Sequence, residues 1–116
     1  MTECLFCKIR DGEIPANLIY EDDDVLAFHD VNPQAPIHVL IIPRKHISTV
    51  NDINVEDGDA LVMGKLISVA KTIAAQEGVS DEGYRLVVNT NQQAGQTVFH
   101  IHMHLLAGRS MAWPPG

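Results

Sequence analysis

Polar and apolar positions alternate with period two along His100-Ile101-His102-Met103-His104-Leu105, the pattern of a half-buried strand. Successive strand side chains point to opposite faces. Three imidazoles therefore share one face, while Ile101, Met103 and Leu105 point into a core. Leu18–Glu21 and Val25–His29 read as two strands around the acidic turn Asp22-Asp23-Asp24, a hairpin signal. Residues 38–42 form a run rich in branched aliphatics that stops at Pro43 and reads as a central strand. Residues 85–89 read as a further strand, and 97–107 as the strand carrying the histidine row.

Elsewhere the period changes to that of a helix. Residues 55–76 place Leu61, Val62, Leu66, Ile67, Val69, Ala70, Ile73 and Ala74 on an apolar stripe. Asn54 is the expected N-cap, with Glu56, Asp57 and Asp59 near the positive end of the dipole. Gly78 ends this helix. Residues 7–11 suit a short helix closed by Gly12. Residues 31–36 and 90–95 read as loops, 44–52 as irregular or briefly helical, and 110–116 as a tail. The order implies an α+β fold: a five-stranded, mostly antiparallel sheet with one long and one short helix. One long helix covers one sheet face well, leaving the other face or an edge for a second copy.

Composition narrows the function. A length of 116 residues suits a single domain spanning 1–116. With 46% apolar and 20% charged residues, a folded, soluble chain is expected. No apolar run approaches the ~18 residues of a membrane span, and Met1-Thr2-Glu3-Cys4 does not resemble a signal peptide. A cytoplasmic protein with no membrane partner is the expectation. A net charge of −7 opposes general nucleic-acid binding. It leaves room for a small anion held by a few aimed donors. No Walker-type phosphate loop is present, so such a site must use imidazoles, hydroxyls and backbone N–H groups.

Candidate chemistry centres on the histidines, three of six of which lie on the one row. His102, in the middle, is best placed to present a lone pair in a fixed direction if its other nitrogen donates to a backbone carbonyl. A flanking histidine can serve the leaving group. Both cysteines lie in Cys4-Leu5-Phe6-Cys7. Such a pair means redox chemistry or half a zinc site, and no strand precedes it as in a thioredoxin-type motif. Cys4, Cys7, His46 and His100 make a candidate structural zinc shell; the alternative is two thiols and two unrelated histidines. Gly95 and Thr97 can aim N–H and hydroxyl donors at an anion. Asp30 can accept ribose hydroxyls, and Phe6, Ile9, Ile14 and Phe28 can wall a purine slot or simply be core.

These residues resemble a known family. His100-Ile101-His102-Met103-His104-Leu105-Leu106 is similar to the signature of the histidine triad superfamily. Residues 28–36, 42–48 and the ending Trp113-Pro114-Pro115-Gly116 resemble its Hint branch, and the likeness spans nearly the whole chain. The resemblance implies a homodimer and hydrolysis of purine nucleoside 5′-phosphoramidates, releasing AMP or GMP. It implies His102 as nucleophile, His104 at the phosphate and leaving group, and His38 as a further active-site histidine. It places Asn89, Gly95, Gln96 and Thr97 at phosphate, Asp30 at ribose, Phe6, Ile9, Phe28 and Val31 at the base, and Trp113 among the substrate-binding positions. The cysteine pair matches zinc-binding bacterial members. Thr97 stands where serine is usual. The alternatives are a dinucleoside polyphosphate hydrolase of the Fhit type and a nucleotide-binding regulator or scaffold.

Overall fold

The computed structural model describes residues 4–116, so Met1–Glu3 and the leader expectation resting on them lie outside the described residues. Five strands form one sheet in the order β1-β2-β3-β5-β4. They are β1 (Leu18–Glu21), β2 (Val25–His29), β3 (Ile37–Pro43), β4 (Tyr84–Val87) and β5 (Met103–Ala107), and every neighbouring pair is antiparallel. The β1–β2 hairpin closes on Asp22, whose carboxylate accepts from the backbone N–H groups of Asp24 and Val25, both at 2.8 Å.

Alternation along the strands divides the sheet into two faces. Val25, Ala27, Val39, Ile41, Met103 and Leu105 pack against Leu66, Val69, Ala70, Ile73 and Ala74 of α2 (Asp59–Gln76). Burying each larger aliphatic here contributes ~1.5–3 kcal/mol. The opposite face carries a smaller cluster of Leu26, Phe28, Leu40 and Ile42 under Phe6 of α1 (Leu5–Arg10). This thinly covered face carries His38 of β3 and His104 of β5. No helix among the described residues is long and apolar enough to cross a membrane.

Several elements differ from the sequence expectation: α1 runs Leu5–Arg10 rather than 7–11, and β4 stops at Val87 rather than residue 89. The long helix begins at Asp59 rather than residue 55, because Gly58 sits at φ +84°, where a right-handed helix cannot continue. Asn54 caps a separate 3-10 turn, Val55–Asp57, accepting from the Glu56 N–H. Within α2, Leu61 and Ile67 are 69% and 54% exposed, so the true stripe is narrower than expected. Residues 90–95 contain a helical turn, α3 (Asn91–Ala94). The largest difference is at the histidine row: β5 begins only at Met103. Met103 pairs with Ile41, so Ile101 in the same register would face Pro43, which has no N–H to give. The chain leaves the sheet there, and the Ile101 N–H bonds the Ile47 carbonyl instead.

Candidate active site and metal centre

That departure splits the row. His100 turns toward the N-terminal cysteines, whereas His102 and His104 stay at the sheet. Cys4 caps α1, its Sγ accepting from the Cys7 N–H at 3.2 Å, which sets the two sulfurs one turn apart. Arg10 at the far end of α1 donates to the Arg44 carbonyl at 2.8 Å, drawing the helix onto the segment that carries His46. Sγ of Cys4 and Cys7 and Nδ1 of His46 and His100 converge, all within 4.8 Å of one another. Both cysteines approach His100 Nδ1 at 3.4 Å, Cys7 lies 3.3 Å from His46 Nδ1, and the two Nδ1 atoms are 3.3 Å apart. Zinc–sulfur bonds of ~2.3 Å and zinc–nitrogen bonds of ~2.0 Å give tetrahedral edges of roughly 3.3 Å between nitrogens, roughly 3.5 Å from nitrogen to sulfur and roughly 3.8 Å between sulfurs. The donor set therefore fits a tetrahedral metal in both atom type and spacing. His100 Nε2 lies 2.8 Å from the Pro43 carbonyl. A carbonyl only accepts, so Nε2 carries the hydrogen and Nδ1 offers its lone pair to the cluster. Burial pushes the His100 pKa down to about 4, keeping that lone pair available.

Backbone partners fix the other rings in the same way. His102 Nδ1 lies 2.8 Å from the His100 carbonyl, so Nδ1 carries the hydrogen and Nε2 the lone pair. The Gln34 N–H donates to His38 Nδ1 at 3.0 Å, which leaves the hydrogen of His38 on Nε2. That N–H faces His104 Nδ1 at 2.9 Å and Asp30 Oδ2 at 3.3 Å. His104 Nδ1 thus accepts, and its Nε2–H is left to donate. Burial lowers the pKa of His38 and His102 against the opposing pull of Asp30, and for His102 of the His100 carbonyl. Burial, helped by the neighbouring His102 and His38, takes His104 down to about 4. At neutral pH these rings are uncharged and their hydrogens are placed. The arrangement presents one nucleophilic lone pair beside one N–H donor.

His102 and His104 border a cleft of about 550 Å³. Phe6, Ile9, Ile14, Phe28 and Val31 give it apolar walls, and Asp30 and Thr97 are among its polar lining. Phe6 and Phe28 meet edge to face with centroids 5.5 Å apart. An apolar slot with a carboxylate and two imidazoles at one end suits a flat base joined to an anion. A model of the HIT domain matches residues 11–111.

The chain belongs to the HIT domain family.

Relatives are similar to this HIT protein over nearly its whole length. A purine nucleoside phosphoramidase of Escherichia coli (strain K12) is 54% identical over 109 residues, covering 94% of this chain and 90% of the relative. A HIT-like protein of Synechococcus elongatus is 52% identical over 98% of this chain and 97% of its own. The crystal structure of a HIT family hydrolase from Legionella pneumophila superposes with a TM-score of 0.94 at 56% identity, covering 98% of this chain and all (100%) of the other.

Not every residue singled out in the sequence lies in the cleft. His38 stands behind His104 rather than on the cleft wall. Gln96 is buried, its Oε1 accepting from the Asn91 N–H at 2.8 Å and its Nε2 donating to the Ser48 and Val98 carbonyls at 2.8 and 3.1 Å. Its side chain is thereby committed to shaping the loop before His100. Gly95, at φ +92°, ends α3. Asn89 is half-buried two residues past β4. Trp113 is 82% exposed on the tail and lines no part of this cleft. Sequence reasoning missed the backbone groups of Gln34 and Pro43. It also missed Arg109, whose guanidinium donates twice to the Gln34 carbonyl, at 3.1 and 3.0 Å. The one accessible signal was Gly108 before it, at φ +93° and so close to Pro36 that a Cβ would lie 2.8 Å from the proline Cβ.

Proposed function

We propose that this HIT protein is a hydrolase that cleaves the P–N bond of purine nucleoside 5′-phosphoramidates through a covalent nucleotidyl-His102, releasing AMP or GMP. The carrying observation is the His102 ring, whose Nδ1–H is held by the His100 carbonyl so that the Nε2 lone pair is the free one. The purine lies between Ile9, Phe6 and Phe28, with Val31 at the rim, and the ribose hydroxyls donate to Asp30. Thr97, with the backbone around Gly95, binds phosphate, and Gln96 and Asn89 support that loop. Nε2 of His102 attacks phosphorus and the P–N bond breaks. The amine leaves neutral, taking one proton from water. His104 Nε2–H donates a hydrogen bond to the phosphoryl group and the leaving nitrogen, while His38 and Asp30 keep His104 in that tautomer. Water then attacks phosphorus, the nucleotide departs, and one proton returns to solvent. Positioning and aimed donors supply most of the acceleration in phosphoryl transfer. Acyl-adenylates present the same nucleotide half and are accepted on the same grounds.

Cys4, Cys7, His46 and His100 would hold a zinc ion. With four protein donors it would have no open position, so its contribution is structural, tying the N-terminal segment to the residues before β5. A homodimer is the proposed assembly. It is supported by β4, an edge strand with one side unpaired among the described residues, and by exposed Leu61 and Ile67 on α2; sedimentation at two concentrations tests it.

The activity is tested by offering adenosine 5′-phosphoramidate, an adenylated primary amine and a diadenosine polyphosphate to the purified protein. Phosphoramidates should turn over fastest, and rapid acid-free quenching followed by mass spectrometry should find one nucleotidyl group on the peptide containing His102. Preference for the dinucleotide would replace this reading with the polyphosphate hydrolase. Binding of AMP with no turnover of any substrate would favour a regulatory role.

A further inference from the structure

His100 belongs to both clusters at once. Its side chain offers Nδ1 to the thiols and to His46, with Nε2–H held by Pro43. Its backbone carbonyl accepts the His102 Nδ1–H, the bond that decides which nitrogen of His102 faces the cleft. A second route runs through α1. Phe6 lies between Cys4 and Cys7, and its ring stands edge-on to His102, centroids 5.0 Å apart, and to His100 at 6.1 Å. Two restraints on His102 thus originate in residues that the cysteine–histidine cluster gathers. A neutral imidazole has two tautomers, and one with hydrogen on Nε2 has no lone pair to turn toward phosphorus.

We propose that His100 is a positioning residue for the nucleophile: its side chain is anchored in the metal cluster, and its carbonyl thereby fixes the tautomer and direction of His102. Emptying the cluster leaves a folded protein that binds nucleotide but no longer aims its nucleophile. The proposal rests on the metal-binding and phosphoramidase readings above and adds a coupling between them. Outer partners that orient a reactive ring commonly affect activity by about 10–100-fold.

The test uses His46, a ligand that touches neither His102 nor Phe6 in the contacts above. Zinc content, thermal midpoint, AMP affinity, kcat and the 15N ring shifts of His102 are measured for four samples. They are the zinc-loaded protein, the same protein after chelation, His46→Ala and His46→Cys. The loaded protein should show a single Nδ1–H tautomer at His102. Chelated protein and His46→Ala should lose zinc and show averaged His102 ring signals, with kcat down about 10–100-fold and AMP affinity within about threefold. His46→Cys should regain zinc, the tautomer and kcat together. An unchanged His102 signature after zinc loss overturns the proposal. So does a wild-type protein that takes up no zinc, or a loss of AMP binding and folded structure along with the metal, which would make the cluster a fold support only. If the wild type turns over no phosphoramidate, the functional reading fails, whereas the ring spectra still decide the coupling.

Discussion

Two clusters in this protein are built from nearly the same parts. Cys4, Cys7, His46 and His100 form one; Asp30, His38 and His104, with His102 alongside, form the other. In the first, donor atoms converge: two Sγ and two Nδ1 atoms lie within 4.8 Å of one another. In the second, hydrogen and lone pair alternate, from Gln34 N–H to His38 to His104. What differs is the partner of each ring's far nitrogen. A carbonyl behind Nε2 of His100 turns Nδ1 into a ligand. An N–H behind Nδ1 of His38 turns its Nε2 into a donor. The backbone, through the tautomers it selects, gives one cluster converging donor atoms and the other a chain of placed hydrogens.

The contrast breaks most sharply at His102. His102→Ala should lower kcat by about 10³-fold or more, with zinc content unchanged. Loss of zinc along with activity would show the clusters to be one unit. Cys7→Ser should do the opposite to stability: zinc is lost, and the melting difference between loaded and chelated protein, equivalent to about 3–4 kcal/mol in the parent, should vanish in the variant. Next in size is His38. His38→Phe removes the donor that keeps His104 Nδ1 occupied, and kcat should fall by about 10²-fold while zinc and AMP binding persist. An unchanged kcat would remove His38 from the positioning chain.

The smallest effect is one of pH. His104 titrates at about 4 in the folded chain against 6.5 for the free ring. Between those values the unfolded chain binds more protons, so the His104 contribution is fully present above pH 6.5 and is lost as pH falls toward 4. Melting of metal-stripped protein should therefore decline through that window. His104→Gln should make the decline shallower, and an identical slope would contradict the buried, neutral ring.

Much of this was legible in the chain. Alternation placed His104 opposite Met103 and Leu105, as β5 shows, and the Cys4/Cys7 pair with His46 and His100 announced a donor set whose atoms the structure brings together. The rest depended on groups that carry no residue-type signal. Register against Pro43 starts β5 at Met103 and frees His100 to turn away. The tautomers depend on the Pro43 and His100 carbonyls and the Gln34 N–H, and any residue type carries a carbonyl. The resemblance placed Gln96 at phosphate, but its side-chain amide is spent on Asn91, Ser48 and Val98. Gly58 shortened the long helix because a positive φ is invisible to periodicity.

The tail has an optical consequence. Trp113 is the only tryptophan in the chain, and it lies in water away from the cleft. Its emission therefore reports on what covers the C-terminus rather than on the filling of the cleft. A blue shift on concentration, with no change when AMP is added at high dilution, would follow assembly with an intrinsic dye and no label.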